Sequence, residues 1–87
     1  MRVVLPVLYL KESSNYKLDT DQDLEMSDYI ETHAIFYNIE VVEPLKNRPN
    51  RCCVTASGHT FDVNLSMKEV DKKIMHQRRT MYYGGGN

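Results

Sequence analysis

The chain has 87 residues, 41% of them hydrophobic and 26% charged, with no tryptophan and a net charge of −1. That length accommodates one domain, in which folding buries only about 60–65% of the unfolded surface, and the composition excludes collagen-like, low-complexity and wholly disordered chains. The longest uncharged apolar run, Val3 to Leu10, is well below the ~20 residues of a membrane span. No basic leader with a small-residue cleavage site precedes it, so the expected setting is cytoplasmic and no membrane contact is expected.

Val3 to Leu10 reads as a β-strand. Pro6 lacks the N–H that a ladder needs, which predicts an edge position or a bulge. Lys11 to Met26 is polar, acidic and aperiodic, broken by Ser13, Ser14 and Asn15, and reads as a long loop, with one helical turn over Asp28–Glu31. Ala34 to Val42 is rich in β-branched and aromatic residues and reads as a single strand. Pro44 to Asn50 holds two prolines and two asparagines and predicts a loop.

Arg51 to Ala56 reads as the next strand, and Ser57-Gly58 as a tight turn in which glycine supplies a positive φ. Thr60 to Leu65 alternates with a period of two, which places Phe61, Val63 and Leu65 inward. The period then changes. Ser66 and Glu69 have capping-box spacing, and Met67, Val70, Ile74 and Met81 form one stripe of a helix running to about Arg79. Residues 82–87 read as a flexible tail. The expected fold is therefore α+β: a small antiparallel meander of about four strands, packed by a C-terminal amphipathic helix, in one domain over residues 1–81.

The near-zero net charge hides separated blocks. Lys11–Glu31 carries two lysines against seven acids, net −5. Lys46–Arg51 carries three basic residues and no acid, and Lys68–Arg79 carries five against two, so each is +3. Such a dipolar surface acts on partners locally rather than through a long-range field. The two cysteines, Cys52 and Cys53, are neighbours and project to opposite faces of a strand. They make no disulfide framework, which suits a reducing compartment.

The segments Ile39-Glu40-Val41-Val42-Glu43-Pro44 and Cys53-Val54-Thr55-Ala56-Ser57-Gly58 read as strand, loop, strand and turn. Thr60-Phe61-Asp62-Val63-Asn64-Leu65-Ser66 and Met67-Lys68-Glu69-Val70-Asp71-Lys72-Lys73-Ile74 follow as strand, cap and helix. Together they resemble the small flagellar FlbD-like proteins and similar short β-hairpin–helix accessory proteins of phages. The resemblance covers about 40 of the 87 residues. The acidic insertion at 11–31, the basic proline-containing loop and the Arg/Tyr/Gly tail depart from it. It implies a small non-enzymatic accessory protein and transfers no catalytic residue. The short, Tyr- and Met-rich character is also similar to small early phage proteins, which implies binding to a host component in a bacterial or phage-infected cell.

Constellations for chemistry are sparse. Asp19-Thr20-Asp21-Gln22-Asp23 opens like a calcium loop, but Leu24 and Ile30 stand where glycine and glutamate belong. Cys52, Cys53, His33, His59 and His76 lack the paired spacing of a zinc site. Nothing in the sequence lowers a thiol pKa for a Cys53–His59 pair, and neither Gly58 nor Gly84–Gly86 forms a phosphate loop. No enzyme activity, metal or cofactor is expected. The candidate contact residues are basic: Lys68, Lys72, His76, Arg78 and Arg79 on the helix, with Lys46, Arg48 and Arg51 from the preceding loop. Tyr82 and Tyr83 follow the helix.

Three functions fit this pattern. The first is stoichiometric binding to a host or self protein, including strand addition or homodimerisation through Val3–Leu10. The second is contact with RNA or another single-stranded nucleic acid, with phosphates on the basic residues and bases on the tyrosines. The third is sequestration of a nucleotide-like ligand by arginine and tyrosine.

Overall fold

The computed structural model describes the backbone of residues 2–85 and the side chains of residues 2–77. Five strands form: β1 (Val3–Leu10), β2 (Tyr29–Phe36), β3 (Val41–Leu45), β4 (Arg48–Ala56) and β5 (His59–Val63). A four-residue helix α1 (Tyr16–Asp19) lies within the β1–β2 connection, and α2 (Met67–Gly85) follows the last strand. The strands make one antiparallel sheet in the order β2-β1-β5-β4-β3. The α+β class and the antiparallel sheet with a C-terminal helix hold, with five strands where about four were expected, but the order is not a simple meander because β2 and β3 lie on opposite edges.

The additional strand arises where a single strand over Ala34–Val42 was expected. The chain leaves the sheet after Phe36 and returns at Val41 on the opposite edge. Only residues 37–40 join the two outermost strands, and four linking residues reach at most about 17 Å between flanking Cα atoms. A flat five-stranded sheet would separate its edges by about 19 Å, at 4.7–4.9 Å per strand, before any offset along the strands is added. The sheet is therefore curled on itself, and the β1–β2 hairpin joins the β3–β4–β5 meander through a ladder of only two residue pairs, Val7–Val63 and Leu8–Asp62. Phe36 turns into the curl and packs edge-on against Phe61, with ring centroids 5.2 Å apart at 81°. That contact anchors the point where the strand breaks.

The inside of the curl is the core. Val3, Leu5 and Val7 of β1 meet Phe36 of β2, Cys52, Val54 and Ala56 of β4, and Val63 of β5. Helix α2 adds Val70 and Ile74 to the same cluster and touches β1, β3 and β4. It spans strands that are not all neighbours, and so covers the open side of the curl. Its start has the expected box: the Glu69 N–H donates to Ser66 Oγ at 3.1 Å, and the Ser66 N–H points to Glu69 Oε1 at 3.4 Å. The helix runs past the expected end at Arg79, since nothing between Arg79 and Tyr83 interrupts helical hydrogen bonding before the glycines.

Three further expectations change. Val3–Leu10 is not an edge strand but lies between β2 and β5. Pro6 is tolerated there because its carbonyl, which accepts from the Asn64 N–H at 2.8 Å, faces the β5 side, beyond the last β5 residue. The missing N–H therefore falls at the frayed end of the short β1–β5 ladder and not in the eight-pair ladder with β2. Pro44–Asn50 is not a loop: β3 continues to Leu45 and β4 begins at Arg48, around a two-residue turn with Asn47 at φ 63° and a register shift after Pro44. Pro44 is accommodated because β3 is an edge strand. Finally, the helical turn expected over Asp28–Glu31 lies earlier, as a 3₁₀ turn over Met26–Asp28, and Tyr29 already belongs to β2.

The acidic connection is ordered around one carboxylate. Asp28 is buried and accepts from Ser14 Oγ at 2.7 Å, Lys17 Nζ at 2.9 Å and the Glu25 N–H at 2.7 Å. The backbone donor, then Lys17 and Ser14, hold its pKa at about 2, below the usual carboxylate range. Lys17 is in turn raised by Asp28.

Candidate interaction clefts

The six candidate contact residues whose side chains are described do not form one surface. Lys72 and His76 join Arg2 and Lys73 in an open cleft of about 380 Å³ between the start of β1 and α2, floored by Val3 and Val4 and flanked by Gln77. Among the described residues, four basic side chains and no carboxylate line it. The helix supplies its three at i, i+1 and i+4, a spacing that keeps them on adjoining turns. Val70 and Ile74, buried on the other side of the same turns, fix the height at which they stand. Lys68 is elsewhere, beside Val42, Met67 and Asp71. The side chains of Arg78, Arg79, Tyr82 and Tyr83 lie outside the described residues.

Lys46 sits exposed in the β3–β4 turn. Arg48 and Arg51, from the start of β4, line a second cleft of about 480 Å³ with Met26, Asn47, Pro49, Asn50 and Asn64. This end of β4 reaches the β1–β2 connection: an Arg48 Nη donates to the Leu24 carbonyl at 3.4 Å, and the Arg51 guanidinium lies 4.8 Å from the centre of the Tyr29 ring. Arg51 is only 8% exposed, with Asp62 Oδ2 at 3.7 Å from an Nη. It is therefore turned inward rather than presented to solvent as expected. The reason is its place on β4: the backbone there curls over the loop, and the Tyr29 face offers the guanidinium a cation–π contact.

Sequence reasoning missed Arg2 and Lys73 in the first cleft and Asn47, Asn50 and Asn64 in the second. Lys73 had a signal in its adjacency to Lys72, but Arg2 reaches the helix only through the tertiary arrangement. Asn47 and Asn50 read as turn formers, which Asn47 is, and Asn64 read as an outward-facing strand residue.

The cysteines separate as their alternation predicts. Cys52 is buried in the core, and burial pushes its thiol up to about 11. Cys53, on the other face, donates through its S–H to Asp62 Oδ1 at 3.6 Å, and burial followed by the Asp62 carboxylate raises its pKa. Both shifts run opposite to the activation a nucleophilic thiol requires. Among the described residues no group of three His, Cys, Asp or Glu side chains could hold a metal ion. No described helix is long and apolar enough to cross a membrane.

Comparison with protein-family models, with curated proteins and with solved structures found no match.

Proposed function

We propose that this protein is a small non-enzymatic accessory or inhibitory binding protein, which acts stoichiometrically by docking an acidic segment of a partner protein into the cleft between β1 and α2. The supporting observation is the lining of that cleft: Arg2, Lys72, Lys73 and His76 around a floor of Val3 and Val4. Cationic groups over aliphatic ground suit a peptide that carries carboxylates beside apolar side chains, because the alkyl stems of lysine and arginine bury against apolar surface while their heads pair with acid. An open cleft of this size takes a few side chains of a partner, which is the scale of a docking site.

Fluorescence anisotropy of a labelled, glutamate-rich peptide at low and moderate salt tests the reading. Saturable binding that weakens as salt shortens the Debye length to about 8–10 Å is expected. The double substitution Lys72→Glu, Lys73→Glu should abolish that binding while leaving the circular dichroism spectrum unchanged, since both side chains are exposed. Binding of single-stranded RNA in preference to the peptide would replace this reading with nucleic-acid contact. Binding of neither ligand would remove the cleft as the functional site.

A further inference from the structure

We propose that the second cleft, formed by Arg48, Arg51, Asn47, Asn50 and Asn64 against Met26, is a binding site for a phosphate-type oxyanion. The argument starts from Arg51. Its guanidinium is more than nine-tenths withdrawn from solvent, yet its Nε is shut off from water with no hydrogen-bond acceptor. The nearest carboxylate oxygen, Asp62 Oδ2, is 3.7 Å from an Nη, too long for a hydrogen bond, and belongs to a side chain that is 37% exposed. The Tyr29 ring beneath offers a face but no acceptor.

An arginine kept only to brace the fold would have its five donors placed on carbonyls or carboxylates, because a buried charged donor left unmet is strongly unfavourable. Here the Nε donor is left unmet, and the side chain lines a cleft whose other polar walls are a second guanidinium and three carboxamides. Arg48 makes only one long contact, to the Leu24 carbonyl at 3.4 Å. Among the described residues, no carboxylate lines the cleft. Two planar guanidinium forks in one cleft with three carboxamides match an oxyanion that accepts several hydrogen bonds at once, as phosphate does. Asp62 acts as the internal counter-ion, loosely paired and half in solvent, which an incoming anion would displace.

The site is distinct from the cleft on α2 and does not depend on the reading given for that cleft. The side-chain Nε–Hε signals of arginine in a ¹H–¹⁵N correlation spectrum report on it directly. Inorganic phosphate is titrated at constant ionic strength against sodium chloride. The expected result is a saturable shift of the Arg51 and Arg48 signals with one common dissociation constant. Arg51→Lys keeps the charge and loses the fork, and should weaken phosphate binding about tenfold, or 1.4 kcal/mol.

Asp62→Asn removes the competing carboxylate and should tighten binding several-fold, an effect that a purely structural Arg51 would not produce. This variant, together with the wild-type spectrum, carries the test if Arg51→Lys does not fold. Adenosine monophosphate binding tenfold more tightly than phosphate would identify the ligand as a phosphomonoester, and equal affinity would identify the free anion. An Arg51 signal that moves no more with phosphate than with chloride, or a site unaffected by Asp62→Asn, overturns the proposal.

Discussion

Replacing Val70 by alanine tests whether the basic cleft has the support described for it. Val70 is fully buried, and with Ile74 it is one of two described α2 side chains in the core cluster. The substitution removes two buried methyl groups, about 1.6 kcal/mol of transfer free energy at ~0.8 kcal/mol each. The vacated space adds about 1 kcal/mol, because the curled sheet beneath cannot collapse fully to fill it. The expected loss is about 2.5 kcal/mol, against a total stability of roughly 4–13 kcal/mol for a chain of this length. Melting should fall by roughly 10–20 °C.

Urea unfolding followed by circular dichroism measures the loss, with Met75→Ala as the control. Met75 is on the same helix but 47% exposed, so its truncation should stay within about 0.5 kcal/mol of wild type. If Val70→Ala also stays within about 0.5 kcal/mol, α2 is not held by the core as described, and the placement of Lys72, Lys73 and His76 falls with it.

Three other outcomes are expected. Asp28 has a folded pKa of about 2 against an ordinary 3.8, so its contribution to stability is complete above pH 4 and is lost as pH falls towards 2. Asp28→Asn should flatten the fall in urea midpoint between pH 5 and pH 2.5, and an undiminished fall would place the acid sensitivity elsewhere. Alkylation of the native protein with iodoacetamide at pH 8, followed by mass spectrometry, should leave Cys52 unmodified and label Cys53 slowly, in keeping with the raised pKa of both thiols; rapid double labelling would contradict the burial of Cys52. Gly58→Ala should destabilise by about 1–2 kcal/mol, purely through its φ of +78°, since a Cβ there meets nothing within 4 Å. Thermal melts of the variant read this directly, and an unchanged melting temperature would mean that the turn relaxes to another form.

Much of the local structure was legible in the residues themselves. Alternation over Thr60–Leu65, the Ser57-Gly58 turn with φ of 52° and 78°, and the Ser66–Glu69 box all depend on neighbours a few residues apart. The same holds for Val70 and Ile74 of the expected helical stripe, whereas Met67 is 42% exposed and Met81 lies outside the described side chains. These signals survive because the covalent geometry of a short segment fixes which side chains share a face.

Strand order, curl and the clefts were not legible in this way. Pro6 marked Val3–Leu10 as an edge on local chemistry, but the relevant fact was which side of the strand its absent N–H faced, and that depends on where β5 ends. Ala34–Val42 has the composition of one strand, yet the chain leaves the sheet after Phe36, which packs on Phe61 across the curl. Arg51 read as a solvent-facing cation until the start of β4 was brought over Tyr29. Arg2 stands beside Lys72 although 70 positions separate them. The sequence by itself determined β1, β5, the Ser57-Gly58 turn, the capped start of α2 and the segregation of charge. The tertiary structure alone decided which charges meet and which are buried, because those outcomes depend on contacts between segments distant in sequence, and no local periodicity encodes them.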